Sequence, residues 1–232
     1  LNIETPAQSS QEYLEAFKLI MKKIFEIQPA EHYGIKYWGH GSSSSSLFDF
    51  KILDNDAELL LSYITSIISK KIDFLDWSSN CGEGRYNRII KEYKYADYIL
   101  ASDITRMGYA VAGGAEESSQ VIETLFSPEK ALRQSLIDML NQDRLQWESD
   151  FTKNYMITNK IKQSISIYDT DKFEDMVNST DLHSTDYTGD VLKYIQINYP
   201  LEVQKFFDFR FCYVSNKDFF TWDIDSNGFL KD

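Results

Sequence analysis

Two short apolar runs constrain what this chain can fold into. Ile35-Lys-Tyr-Trp-Gly-His-Gly41 and Ile72-Asp-Phe-Leu-Asp-Trp-Ser-Ser-Asn-Cys-Gly-Glu-Gly84 are each the length of a buried strand, and each breaks off into small residues around one reactive side chain. The first delivers His40 and the second Cys81, 81 − 40 = 41 positions later. That interval fits a loop, a helix and a second strand, the recipe for two parallel neighbours. In an open parallel sheet the carboxyl ends of adjacent strands face one crevice, so the imidazole and the thiol are expected to meet there.

Such a meeting supports attack by sulfur. A free thiol with a pKa near ~8.5 is mostly protonated at neutral pH, and an imidazole can take that proton and later return it to a leaving group. Gly41 leaves the backbone after His40 uncrowded, so its N–H and that of Cys81 are candidate donors to a developing oxyanion. Gly82-Glu-Gly84 leads into a helix expected from about Arg85 to Lys94, whose amino end favours the thiolate.

The rest of the chain reads as alternating helices and strands. Ser9 and Glu12 form a capping-box pattern before Leu14, Phe17, Ile20 or Met21, Ile24 and Phe25, which predicts a helix ending at Pro29. Asp54 or Asn55 is expected to cap a helix with Leu60, Tyr63 or Ile64, Ile67 and Ile68 on its apolar side. Tyr95 to Asp103 reads as a strand, Gly108 to Gly114 as a flexible loop, and Ala115 to Thr124 as a helix. Ser127-Pro128 is expected to open a long helix carrying Leu132, Leu136, Leu140 and Trp147. A strand over 161–168 and a helix over 170–177 follow. The tail is expected to hold a polar loop with His183, a helix over 191–207 broken at Pro200, and strands over 209–214 and 219–230. The last strand folds on Asp225-Ser-Asn-Gly228 as a C-terminal β-hairpin. His32 and His183 read as surface loop residues.

The motifs resemble those of the caspase-like clan of cysteine peptidases, and within it the clostripain family. Pro29-Ala-Glu-His-Tyr-Gly-Ile-Lys-Tyr-Trp-Gly-His-Gly41 is similar to the family's lead into its His-Gly strand. Tyr95-Ala-Asp-Tyr-Ile-Leu-Ala-Ser-Asp103 resembles the strand after its nucleophile helix, and Ser164-Ile-Ser-Ile-Tyr-Asp169 a later strand. A lone free cysteine is most often a small core residue. The company of His40-Gly41 and of the Tyr95–Asp103 stretch is what singles Cys81 out.

The resemblance implies an α/β/α sandwich with a mostly parallel sheet, a catalytic domain over 1–177 and a C-terminal extension, 178–232, packing on it. It implies a cysteine endopeptidase acting on protein or peptide substrates through His40 and Cys81 and a thioester. The alternative is a catalytically silent module of the same fold that binds peptides or proteins. Family members read Asp-Ala-Cys at the nucleophile, the aspartate pairing with a basic side chain of the substrate. Here Ser79-Asn80-Cys81 stands there, so preference for basic residues depends on another acid, Asp76 or Asp103, reaching the pocket. Ser79, Asn80 and Asp103 are the candidate substrate contacts. Lys51, after the Ser42 to Ser46 run, occupies the interval where relatives cut themselves. The strand that flanks the His-Gly strand in this fold has no counterpart before Ser9, so a preceding segment or a second polypeptide is expected to complete the sheet.

Charge and cysteine usage narrow the options. A net charge of −12 argues against partners that must be met by neutralising phosphates, nucleic acid above all. The most apolar run, Leu59 to Ile68, is too short to span a bilayer. Leu1 to Ala7 has neither the basic start nor the apolar middle of a signal peptide, and a secreted or cell-envelope location is implied by the family alone. Cys81 and Cys212 make no disulfide framework, and bridging them would remove the nucleophile. No cofactor is required for the implied chemistry. Calcium is compatible with the resemblance, and Asp223-x-Asp225-x-Asn227-Gly228 mimics the front of a calcium loop, but a hairpin turn explains it as well. No zinc-ligand spacing, phosphate loop or nucleophilic-serine elbow is present.

Overall fold

A computed structural model describes residues 9–37, 54–77, 86–102, 131–159, 163–180 and 191–216. Its five strands are β1 (Gly34–Lys36), β2 (Ile72–Trp77), β3 (Ala96–Ala101), β4 (Ser164–Asp169) and β5 (Arg210–Ser215), and they lie in that order across one sheet. β1, β2 and β3 are parallel, β4 is antiparallel to β3, and β5 is antiparallel to β4. Among the described residues four of the five strands therefore point the same way, and β4 is reversed.

The strands form where the sequence places apolar and β-branched residues together, and all six residues of β2 are buried. Alternation sends Leu75 and Trp77 to one face and Phe74 to the other. Each face is covered by helices. On one side α1 (Ser10–Ile27), α2 (Asp54–Ile68), α3 (Tyr86–Glu92), α6 (Thr170–Thr180), α7 (Val191–Asn198) and α8 (Val203–Phe209) contribute Leu14, Leu61, Ile64, Ile89, Phe173, Ile195, Phe206 and Phe209 to a common core. On the other, α4 (Leu132–Glu148) and α5 (Asp150–Thr158) bring Leu136, Leu140, Trp147 and Met156 against Phe74, Leu100, Ile165 and Ile167. This is the α/β/α sandwich the sequence led us to expect. The C-terminal elements share its sheet through β5 and its core through Phe206 and Phe209.

Several sequence signals resolve into defined contacts. The Ser9 hydroxyl accepts the Glu12 N–H at 3.3 Å while the Glu12 carboxylate accepts the Ser9 N–H at 2.9 Å, completing the capping box. Phe17, Met21 and Phe25 pack inward from α1, whereas Ile24 is 47% exposed and stands off the apolar stripe. The break at Pro200 is a short 3-10 turn, Pro200–Glu202, between α7 and α8. Thr170 opens α6 with its hydroxyl donating to the carbonyls of Ala96 and Asp97, which ties the helix start to β3. At the far end of the β4/β5 ladder, the Gln163 N–H donates to Asn216 Oδ1 at 2.8 Å and the Asn216 N–H to the Gln163 carbonyl at 3.1 Å.

Two elements differ from expectation. α4 begins at Leu132, with the Ala131 carbonyl accepting the Gln134 and Ser135 N–H groups, rather than at Ser127-Pro128. The helix then ends at Glu148, because Ser149 is extended (φ −62°, ψ 141°) and starts α5. Ser149 takes the N-cap position without a side-chain cap hydrogen bond, and Asp150 in the first turn supplies the negative charge that favours a helix start. The loop 108–114, the helix 115–124, the Ser42 to Ser46 run, His183 and the hairpin strand 219–230 with its Asp223–Gly228 turn lie outside the described residues.

Gly34 is held by a close approach. A Cβ there would overlap the ring of Phe74, its register partner on β2, so the ring lies against the bare backbone of β1. Gly34→Ala is expected to cost about 1–3 kcal/mol, as overpacking against a buried ring does. Urea unfolding of the variant checks this, and an unchanged midpoint would show that the ring swings aside freely.

Candidate active site

The ends of β1, β2 and β3 form one rim of the sheet. Lys36 is opposite Asp76, and the Tyr37 N–H continues the ladder to the Asp76 carbonyl at 3.2 Å. The rings of Tyr37 and Trp77 meet edge to face with centroids 6.3 Å apart. Such contacts hold the two strand ends side by side. β3 closes the rim at Ala101 and buried Ser102.

Two charged groups anchor this rim from opposite faces. Lys36 Nζ lies 3.1 Å from Asp76 Oδ2, and the Asp76 side chain is 1% exposed. A buried carboxylate requires such a partner. On the other face the Trp77 indole N–H donates to Glu92 Oε2 at 2.7 Å, and Arg88 Nη2 donates to Glu92 Oε1 at 2.7 Å. Trp77, Arg88 and Glu92 are all buried. The sequence reading missed this triad, because a Glu four residues after an Arg on a helix ordinarily marks a solvated face. The signal that could have found it is the tryptophan at a strand end, whose indole N–H needs an acceptor once buried.

The rim is the launching point of every candidate site residue. His40 and Gly41 follow Tyr37 by three and four positions, Ser79, Asn80 and Cys81 follow Trp77 by two to four, and Asp103 follows Ser102 directly. These six, and Lys51, lie outside the described residues. What the structure brings together is the pair of strand ends from which they depart. Asp76, the other acid considered for a basic pocket, has its charge already engaged by Lys36 on the neighbouring strand.

The opposite, amino-terminal rim holds a second charged group. His32, which the sequence marked only as a surface histidine, is 2.6 Å from Asp73 Oδ1 through its Nδ1, with its side chain 59% exposed. Asp73 Oδ2 also accepts the Tyr33 N–H at 2.7 Å and Lys70 Nζ at 3.0 Å. Burial pushes the Asp73 carboxyl up, but the hydrogen bonds from His32, Tyr33 and Lys70 together outweigh it and hold the group below its ordinary value of 3.8. A carboxyl depressed in the folded state stabilises the fold above its unfolded pKa, and that contribution is lost as pH falls through the folded value. Asp73→Asn is therefore expected to lower stability at pH 7 by about 1–3 kcal/mol. The deficit should shrink below about pH 4. Parallel urea titrations at pH 7 and pH 3 measure it, and an equal deficit at both would remove the ionic explanation.

Cys212 on β5 is a free, half-buried cysteine whose thiol is pushed up by burial. A raised thiol pKa lowers the thiolate fraction available for reaction at neutral pH. Among the described residues no group of three or more His, Cys, Asp or Glu side chains is arranged to hold a metal, and no helix is long and apolar enough to cross a membrane.

The fold matches that of solved C11, clostripain-like, cysteine proteases. A secreted C11 cysteine protease from Bacteroides thetaiotaomicron, solved with an irreversible peptide inhibitor, superposes with a TM-score of 0.63 at 15% identity, covering 93% of this chain and 66% of that one. Another structure of a secreted C11 cysteine protease from the same organism, iotapain, gives 0.50 at 10% identity, over 79% of this chain and 48% of that one. This chain thus spans 66% and 48% of the lengths of these two solved chains. At such identities the likeness establishes a shared fold. No family model matches the sequence, and no curated protein matches it.

Proposed function

We propose that this chain is a cysteine endopeptidase, with Cys81 as nucleophile and His40 as base and then acid. The observation that carries the reading is the register at the rim. Lys36 opposite Asp76 sets Tyr37 beside Trp77, so the segments bearing His40 and Cys81 leave adjacent parallel strands in the same direction. Neighbouring strands are about 4.8 Å apart. Three and four residues reach at most about 10 and 14 Å, so the two side chains can be brought into contact. The fold shared with a C11 protease at a TM-score of 0.63 supports the same assignment.

In the proposed reaction His40 takes the Cys81 proton and the thiolate attacks the scissile carbonyl. The N–H groups of Gly41 and Cys81 hold the oxyanion, and losing one such donor typically costs about 3 kcal/mol of transition-state stabilisation. His40 then protonates the departing amine, leaving a thioester that water, deprotonated by His40, hydrolyses. The chemistry uses side chains and backbone of this chain and no cofactor. Ser79 and Asn80 contact the substrate, and Asp103 is the acid available to a basic side chain once Asp76 is committed to Lys36. A preceding segment or second polypeptide covers the flank of β1 away from β2, where no strand lies among the described residues.

A library of fluorogenic peptides varied at the residue before the cut bond tests the activity and its specificity together. Cleavage after arginine or lysine that Asp103→Asn removes is the expected pattern. No cleavage of any member would instead favour a silent peptide-binding module. Self-cleavage after Lys51 is read by intact mass: the parent is expected to yield two fragments and Cys81→Ala one full-length chain, and identical single masses would refute the processing step.

A further inference from the structure

Resting on that peptidase reading, we infer that Glu92 is a positioning residue for Cys81, acting as a buried clasp across the two ends of the segment that carries the nucleophile. Residues 78–85 join Trp77, the last residue of β2, to Tyr86, the first of α3. The two oxygens of one carboxylate take one donor from each side of that segment. Oε2 accepts the Trp77 indole N–H and Oε1 the Arg88 guanidinium, both at 2.7 Å.

The chemistry of the clasp suits positioning better than stability. A buried ion pair gains little over a well-packed apolar substitute once desolvation is counted, and its best-attested use is to fix one arrangement among several. Arg88 and Glu92 are 1% and 3% exposed by side chain, so their attraction is unscreened and directional. The Trp77 ring is also the one that meets Tyr37, the residue directly after β1. Through it Glu92 is connected to both strand ends from which His40 and Cys81 depart. A displacement of the nucleophile by 1 Å is enough to cost about 10²-fold in rate.

The test uses Trp77→Phe, which removes the indole donor, and Glu92→Gln, which keeps the acceptor oxygen but loses the charge facing Arg88. Both are compared with the parent at 25 °C, where circular dichroism reports the fold, and if one does not fold the other decides. Expected are amide exchange at residues 78–85 at least about tenfold faster, with β3 and β4 unchanged, and labelling of Cys81 by a peptidyl electrophile slower by about 10²-fold. The iodoacetamide pH profile of Cys81 should move toward that of an ordinary thiol. A folded variant with a lowered melting temperature but parental exchange and parental Cys81 labelling would overturn the inference and leave Glu92 a purely structural residue, as would faster exchange with unchanged labelling. If Cys81 of the parent already reacts as an ordinary thiol, the peptidase reading fails on the parent alone. The clasp is then decided by exchange at 78–85.

Discussion

Cys81→Ala is expected to abolish peptide hydrolysis, and His40→Ala to lower kcat by about 10³-fold, the share general acid–base catalysis commonly supplies. The second variant is the more informative, because it leaves the thiol in place. With the imidazole gone, Cys81 should titrate near an ordinary thiol value of ~8.5, and its alkylation at pH 6 should fall accordingly. Cys212 provides the internal reference: its half-buried thiol is pushed up by burial, so its labelling should be slow and the same in both proteins. Peptide mapping of the alkylated chain separates the two sites. Equal labelling of Cys81 with and without His40 would dissolve the dyad and leave only the shared fold.

Phe209→Ala is expected to cost about 3–5 kcal/mol, the usual penalty for emptying a buried aromatic site. Phe209 is fully buried, stacked on Tyr168 at 4.8 Å between centroids and tilted against Phe173 at 4.5 Å, with Phe206 edge-on at 5.8 Å. Its removal opens a void where α6, α8 and β4 meet. Phe207, next but one in the chain and 47% exposed, serves as the control. Phe207→Ala should change stability by less than about 0.5 kcal/mol. Urea unfolding of the pair measures both, and similar midpoints would mean that the aromatic cluster collapses onto the vacancy at little cost.

How far the sequence could be read depended on which physical signal each element carried. The capping box at Ser9, the apolar runs of β2 and β3 and the break at Pro200 were legible, because each is a local pattern with a local cause. The reversed direction of β4 was not, since an alternating strand has the same pattern whichever way it runs. Asp73 and Asp76 were hidden for a different reason. Their partners, His32 and Lys36, are 41 and 40 positions away, and only the β1–β2 register brings them near. An Arg and a Glu four apart on a helix carry no local mark of burial, and the context of Arg88 and Glu92 comes only from the Trp77 indole. For the candidate site, the strands that deliver His40 and Cys81 were legible, whereas the side chains themselves lie outside the described residues.

The reversal of β4 has a practical consequence. Because β5 is turned back by it, Ser215 and the Asn216 clasp finish on the same side of the molecule as Tyr37 and Trp77. Any tag, fusion or crosslinker attached just beyond Asn216 would start out on the rim from which the segments carrying His40 and Cys81 depart. Under the proposed peptidase reading, a spectroscopic label placed there would report on substrate arrival, and an affinity handle placed there would compete with it.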